Sequence, residues 1–518
     1  MGLFFTLLYM VTAYLSPPTV WGSLADHHIA IILACLALFC SLFTLRGSRI
    51  LEIGQTWALI GMTLCVGLSL LFAYRMGLIP MSLMDFIPNE IIFFFIFLNC
   101  RKKIHLQFVI MTMFLIAVFI GCTSFYALQT NDLLSPYLLR QRISETGLTI
   151  FRIRGLDFLN DPNDLSQFMV ALIPCMFFFW SRGKFVVNLF LVYLPICFLL
   201  YGMFLTKSRG GMVALMICAV VAGRRKIGIF PALVGGAILF LGMQVSGFSG
   251  GRDITPAAGA DRMEAWSTGI QLIRTHPFFG VGYKRFANFF YITAHNTVIV
   301  CAAEIGLIGF FFWMLFVLPT VRNALATSDV PVLEDDVVVV GGKQLWLGHQ
   351  HEDPDAAREA KDAKPASDMA FRNAALATPG GRPVAMRAAE LRSANSLRVS
   401  TPARDTARKP IVRNMPKFMD LADHTDEETN AEIHRLAGLT VLALTGFLSA
   451  GWFLSRAYTM TLFLHAGIAM VVYRMALDRG IAPPPLKFLR AAKLSGIMCI
   501  TLTLLVYLIL RIQHLTGK

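Results

Sequence analysis

Charge is scarce in this sequence. Only 15% of its 518 residues are Asp, Glu, Lys or Arg, where a soluble globular chain carries roughly 25%. That excludes an ordinary soluble enzyme and a disordered chain. Paired cysteines are missing too. Cys35, Cys40, Cys65, Cys100, Cys122, Cys175, Cys197, Cys218, Cys301 and Cys499 form no CxxC and no His/Cys metal spacing. A disulfide-stapled secreted domain is thereby excluded, and the thiols read as small buried hydrophobes. The apolar stretch Gly2–Leu15 lacks a basic n-region and an A-x-A site. It reads as a first membrane segment rather than a cleaved signal. No internal repeat of the kind that marks symmetric transporters stands out.

What is present is apolar. Hydrophobic residues make up 56% of the chain, with 42 Phe and 24 Met, and the mean hydropathy is +0.62. A spanning helix needs roughly 20 mainly apolar residues. Runs over 2–16, 28–45, 55–74, 84–99, 104–126, 164–180, 185–206, 211–223, 227–245, 297–319, 437–455, 457–473 and 494–511 qualify or come close. The expected fold class is all-α and polytopic, with twelve or thirteen spans, the one over 211–223 being the shortest.

With the N-terminus inside, every second connection is basic: Arg46 and Arg49; Arg101, Lys102 and Lys103; Arg182 and Lys184; Arg224, Arg225 and Lys226; then Arg474, Arg479, Lys487, Arg490 and Lys493. That alternation is the positive-inside pattern. The net charge of +14 therefore divides between membrane turns and a Pro/Ala-rich insert, which argues against a nucleic-acid partner. Four regions follow: N-terminal spans over 1–126, a core over 127–319 with long external loops 127–163 and 246–296, a cytoplasmic insert over 320–436, and C-terminal spans over 437–518. The insert is poor in aromatics and reads as a flexible linker or a partner-docking segment. Within it Val337–Val340 reads as a short strand, and Thr425-Asp-Glu-Glu428 as a capping box that starts a helix.

Basic residues also gather on the external side, where topology disfavours them: Arg140, Arg142, Arg152, Arg154, Lys207, Arg209, Arg252, Arg262, Arg274, Lys284 and Arg285. Guanidinium forks suit phosphate oxygens, and snorkelling toward headgroups is the structural alternative for any one of them. Three places are more specific. Arg154-Gly155 precedes Asp161-Pro162-Asn163-Asp164, where Asp161 should cap a helix with Pro162 at its first position. Thr206-Lys207-Ser208-Arg209-Gly210-Gly211 joins two spans. Ser208 can cap there, the glycines leave backbone N–H groups accessible, and Arg209 adds charge, which is the logic of an anion site. In the second loop, Asp261-Arg262-Met263-Glu264 reads as a helix start. Met263, Trp266, Ile270 and Ile273 then form one stripe, suited to a helix lying on the membrane surface. Pro277 and Gly280-Val281-Gly282 end that helix, and His295-Asn296 precedes the next span with Asn296 as its cap. His295 has the titration range of a general base, against the plainer role of an interfacial histidine. Glu304, deep in that span, lies about 13 Å along the axis from His295 and needs a partner or a wet cavity.

Taken in order, Asp161-Pro-Asn163, Thr206-Lys-Ser-Arg-Gly210, Arg262 with Trp266, Pro277 with Gly280-Val-Gly282, and His295-Asn296 leading to Glu304-Ile-Gly306 resemble the bacterial O-antigen ligase and O-antigen polymerase superfamily. The resemblance covers roughly 150–320. It implies a membrane glycosyltransferase similar to the C-type enzymes, multi-pass in the inner membrane with its site facing the periplasm. The implied donor is a glycan on undecaprenyl diphosphate. The acceptor would be another lipid-linked glycan, lipid A-core or a protein. No cofactor and no metal are implied, and the external loops contain no Asp-x-Asp motif. The family's two arginines fall on Arg209 and Arg262 and its histidine on His295. Arg154, Ser208, Gly210 and Asn296 are the expected substrate-binding residues. The insert over 320–436 departs from the family pattern. A transporter or flippase of the same lipid-linked glycan is the alternative of a different class.

Overall fold

A computed structural model describes residues 1–20, 22–45, 48, 50–142, 149–248, 256–328, 337–340, 343–346 and 426–516. Arg252 lies outside them. The chain divides into two units, Met1–Val330 with Val412–Lys518, and Pro331–Ile411.

The first unit is helical. Its longer elements are α1 (Gly2–Leu15), α2 (Ile29–Leu45), α3 (Gly54–Phe72), α4 (Ile79–Asn99) and α5 (Lys103–Gln129). A short antiparallel pair follows, β1 (Leu138–Arg142) and β2 (Thr149–Ile153), with Leu138 opposite Ile153. Then come α6 (Pro162–Met176), α7 (Phe185–Thr206), α8 (Arg209–Ile227), α9 (Ile229–Val245) and α10 (Pro256–Thr275). α11 (Thr297–Glu304) and α12 (Gly306–Ser328) precede the insert. In the second unit, β3 (Val337–Val340) pairs antiparallel with β4 (Lys343–Trp346). The first unit resumes with α13 (Asp426–Gly451), α14 (Met460–Asp478) and α15 (Phe488–Thr516).

Among the described residues, eight helices are long and apolar enough to cross a membrane, and α2 and α9 are shorter apolar helices. The protein is an all-α polytopic membrane protein. Its centre is α14, the one candidate span whose apolar window is wholly buried. Small residues let neighbours close on it: a Cβ at Gly467 would stand 3.0 Å from Ile96 of α4. At the other extreme, α15 buries only 17% of its window, and the rest of its apolar surface faces outward.

Several helices differ from their expected limits. The short run over 211–223 is the 19-residue α8, because Ser208 caps it a turn earlier. The expected span over 297–319 is two helices, broken at Ile305. Gly306 has a φ of 72°, and a Cβ there would lie 2.1 Å from the Phe278 carbonyl oxygen. The loop after α10 is thus pressed into the break: Val281 N–H donates to Ala303 O (2.9 Å), Gly282 N–H to Glu304 O (3.0 Å) and Leu307 N–H to Pro277 O (2.8 Å). The first two occupy carbonyls that the end of α11 leaves open, and the third satisfies an N–H at the start of α12.

α10 starts at Pro256, so Asp261 lies inside it and is not its cap. Proline is at home in a first helical turn, where its missing N–H is not needed. Its apolar stripe also faces protein rather than lipid. Trp266 and Ile273 are buried in the core, and a Cβ at Gly269 would stand 2.2 Å from Ile299 of α11. Residues 320–328 and 426–436, assigned from sequence to the insert, are the end of α12 and the start of α13. The expected strand Val337–Val340 is present, with a partner the sequence reading did not anticipate. Thr425, the expected cap of α13, lies outside the described residues.

Candidate functional site

Three helices begin close together, each with a side-chain cap. Asp161 accepts the Asn163 N–H at the start of α6 (2.7 Å). Ser208 Oγ accepts the Gly211 N–H at the start of α8 (3.2 Å). Asn296 Oδ1 accepts the Val298 and Ile299 N–H groups at the start of α11 (2.9 and 3.2 Å). Helix N-termini carry partial positive charge, so three together favour an anion.

Side chains join the three ends. Ser208 Oγ also donates to Asn163 Oδ1 (2.8 Å). Arg152, at the end of β2, is only 3% exposed. It donates to Thr206 O (2.8 Å), Gln141 Oε1 (3.0 Å) and Asn163 Oδ1 (3.0 Å). Gly211 packs where a Cβ would lie 1.9 Å from Ser166 Oγ of α6. The glycine pair therefore serves close packing, and the Gly211 N–H is taken by Ser208 instead of lying open to a ligand.

Arg209 and Arg262 lie within electrostatic reach of Arg152. Burial and the Arg209 charge lower the Arg262 guanidinium, while Asp161 opposes them. Burial likewise brings Arg152 down to about 10, with Asp161 holding it up and Arg209 and Arg262 pushing it down. His295 belongs to the same field. Burial lowers its imidazole first, Arg262 and Arg456 add to that, and Asp161 pulls the other way. The ring is therefore biased toward its neutral form, able to accept a proton. Its backbone is held in the left-handed region, with φ 46°. The N–H donates to Ser455 Oγ (2.8 Å). Just before it, Ala294 O accepts the Trp266 indole N–H (2.8 Å).

The turn between α13 and α14 completes this end of the protein. Arg456 forms an ion pair with Asp164 of α6, which is 4% exposed. Thr297 Oγ donates to Leu454 O (2.8 Å), and Trp313 donates to Ala457 O (2.8 Å).

The structure thus brings Arg209, Arg262, His295, Ser208 and Asn296 to one end of the bundle, with Gly210 beside Phe453 of the same turn. Arg154 is placed differently. It is half-buried and donates to Pro136 O (2.9 Å) and Asn160 Oδ1 (3.2 Å), on the loop side of the cluster. Arg152 is the strand arginine that couples to Arg209 and Arg262. The sequence reading placed Arg152 in the external basic set and Asp164 in the helix-start motif without giving either a place in the site, and it missed Arg456. A usable signal existed for Arg456: it is an arginine in a short turn between two apolar runs, following a serine just as Arg209 does. Among the described residues, no three His, Cys, Asp or Glu side chains gather closely enough to hold a metal ion.

A family model described as O-antigen ligase matches residues 193–314. The matched segment contains Arg209, Arg262, His295 and Glu304, and it agrees with the resemblance to the O-antigen ligase and O-antigen polymerase superfamily read from the sequence. No curated protein matches the chain.

Proposed function

We propose that the protein transfers a glycan from a polyprenyl-diphosphate carrier to an acceptor hydroxyl at the periplasmic face of the bacterial inner membrane, in building or attaching surface polysaccharide. One observation carries this reading: Arg152, Arg209 and Arg262 share a field with a neutral-leaning His295 where three capped helices begin.

In this reading the diphosphate lies against Arg209 and Arg262, with Arg152 holding the helix ends in place. Ser208 and Asn296 act mainly as caps that set the geometry. The acceptor oxygen attacks the anomeric carbon from the face opposite the diphosphate. A new C–O bond forms, the anomeric C–O bond to phosphate breaks, and its electron pair leaves with the diphosphate. The hydroxyl proton goes to His295. Configuration at the anomeric carbon inverts. Preorganised cations in a water-poor site stabilise the developing charge by several kcal/mol, roughly 3–4 for a single donor.

The test uses the purified full-length protein with a polyprenyl-diphosphate oligosaccharide, in detergent and in liposomes. Release of polyprenyl diphosphate together with a longer or transferred glycan is expected. Glycan that crosses the liposome membrane without such release would contradict the proposal and favour a transporter.

A further inference from the structure

A second cavity, of about 340 Å³, lies beside the arginine cluster and shares a wall with it. The common wall is Ser455 and Arg456. Ser455 accepts the His295 N–H, and Arg456 pairs with Asp164 while its charge reaches His295. Thr293, two residues before His295, also lines the cavity.

The chemistry of this cavity differs from that of the cluster. Asp85, Asp157 and Glu304 face it against Lys284 and Arg456, so acids outnumber bases. Two of the three acids have defined partners. Asp85 accepts the Tyr283 hydroxyl (2.9 Å) and pairs with Lys284 (2.7 Å). Glu304 accepts the Phe286 N–H (3.3 Å), which answers the question of what supports a carboxylate at that depth. Thr459 lines the cavity, and its hydroxyl is buried without a hydrogen-bond partner. Phe158, Tyr283 and Tyr458 supply apolar faces. Partnered carboxylates, unused hydroxyls on Thr459 and Tyr458 and aromatic faces match a molecule with hydroxyls on its edge and C–H groups on its flat sides. The volume falls within the range of small-molecule sites, roughly 300–1,000 Å³.

We propose that this cavity binds the saccharide end of an acceptor that is itself a lipid-linked glycan, and offers its hydroxyl across the Ser455–Arg456 wall to His295. The proposal rests on the glycosyl-transfer reading above and adds to it a division of labour. The donor's diphosphate takes the arginine side, and the acceptor's sugar takes the carboxylate side.

Ala287 lines the cavity, is exposed, and has no role in the proposed chemistry. Ala287→Phe fills the space, and Thr459→Val removes one unused hydroxyl with little change of shape. Two probes are bound to the full-length protein in nanodiscs. One is the free oligosaccharide obtained by mild acid from the cells' lipid-linked glycan; the other is polyprenyl diphosphate alone. Ala287→Phe should weaken the oligosaccharide by about tenfold or more and leave polyprenyl diphosphate unchanged, since a blocked pocket loses its convergent polar contacts. Thr459→Val should weaken it roughly three- to tenfold, the value of one hydrogen bond. Arg209→Ala should do the reverse, losing polyprenyl diphosphate and keeping the oligosaccharide. Oligosaccharide binding that is absent from the wild type, or indifferent to Ala287→Phe, overturns the cavity assignment. So does a loss of polyprenyl diphosphate in Ala287→Phe. If Arg209→Ala keeps polyprenyl diphosphate, the donor site fails instead, and the oligosaccharide results still stand by themselves.

Discussion

His295 owes its proposed role to its neighbours more than to its own chemistry. An ordinary imidazole titrates near 6.5. Here burial, Arg262 and Arg456 outweigh Asp161, so the proton leaves at a lower pH. The neutral base therefore persists below the usual range and is lost only as pH falls further. The acid limb of kcat/KM should lie below ~6.5, and a limb above it would contradict this environment. Asp164 carries the complementary duty. Breaking a buried ion pair costs roughly 3–5 kcal/mol. Arg456 keeps 33% side-chain exposure, so solvent reduces that figure. Asp164→Asn should destabilise the protein by about 1–3 kcal/mol, read as a lower midpoint in thermal unfolding in detergent. At this scale the sequence was informative where chemistry is local. Arg209 beside a serine cap and His295 before an asparagine cap could be read directly. The pairing of Arg456 with Asp164 could not, because it joins a turn and a helix far apart in the chain and depends on how α6 packs on α13.

Among the elements, apolar runs made most spans visible, since a helix in lipid must satisfy its own backbone and be uniformly apolar. Caps were visible for a similar reason: Asp161, Ser208 and Asn296 bond to N–H groups two or three residues on. The break at Ile305 was not. In the sequence Gly306 stands only as part of a motif, whereas its φ of 72° belongs to a chain reversal that admits the segment 277–282. Only tertiary contact fixes that conformation. The same holds for α10, whose amphipathic stripe fits a lipid surface and a protein surface equally well. Gly306→Ala should therefore be costly twice, through backbone strain and through the clash with Phe278 O. A loss of roughly 1–3 kcal/mol is expected from the strain alone, with a fall in thermal midpoint. A variant as stable as the wild type would show that the break is not held as described.

For the molecule as a whole, every residue assigned to the site and to the second cavity belongs to the unit Met1–Val330 with Val412–Lys518. Replacing 331–411 by a short polar linker should leave glycan transfer by the purified protein within about twofold of the full chain, the range expected for a change remote from the reacting groups. Loss of transfer in a protein that still inserts would assign the insert a part in catalysis. Orientation is the wider constraint. The basic connections Arg101–Lys103 and Arg182–Lys184 lie at the end of the bundle where α5 and α7 begin, and the arginine cluster lies at the other. Arg435 of α13 donates to Phe177 O at the former end (2.8 Å), and Lys103 pairs with Glu432 there (2.5 Å). Hydropathy and basic turns made this two-ended plan legible from sequence. The convergence of several loops into one field was not, because only packing brings them together.

The central claim is that Arg209 and its neighbours hold a departing diphosphate while His295 takes the acceptor's proton. The most direct measurement is single-turnover glycan transfer by correctly inserted Arg209→Ala and His295→Ala proteins beside the wild type. Losses of roughly 10²–10³-fold for the arginine and about 10²–10⁴-fold for the histidine are predicted. Transfer at the wild-type rate in either variant would contradict the account.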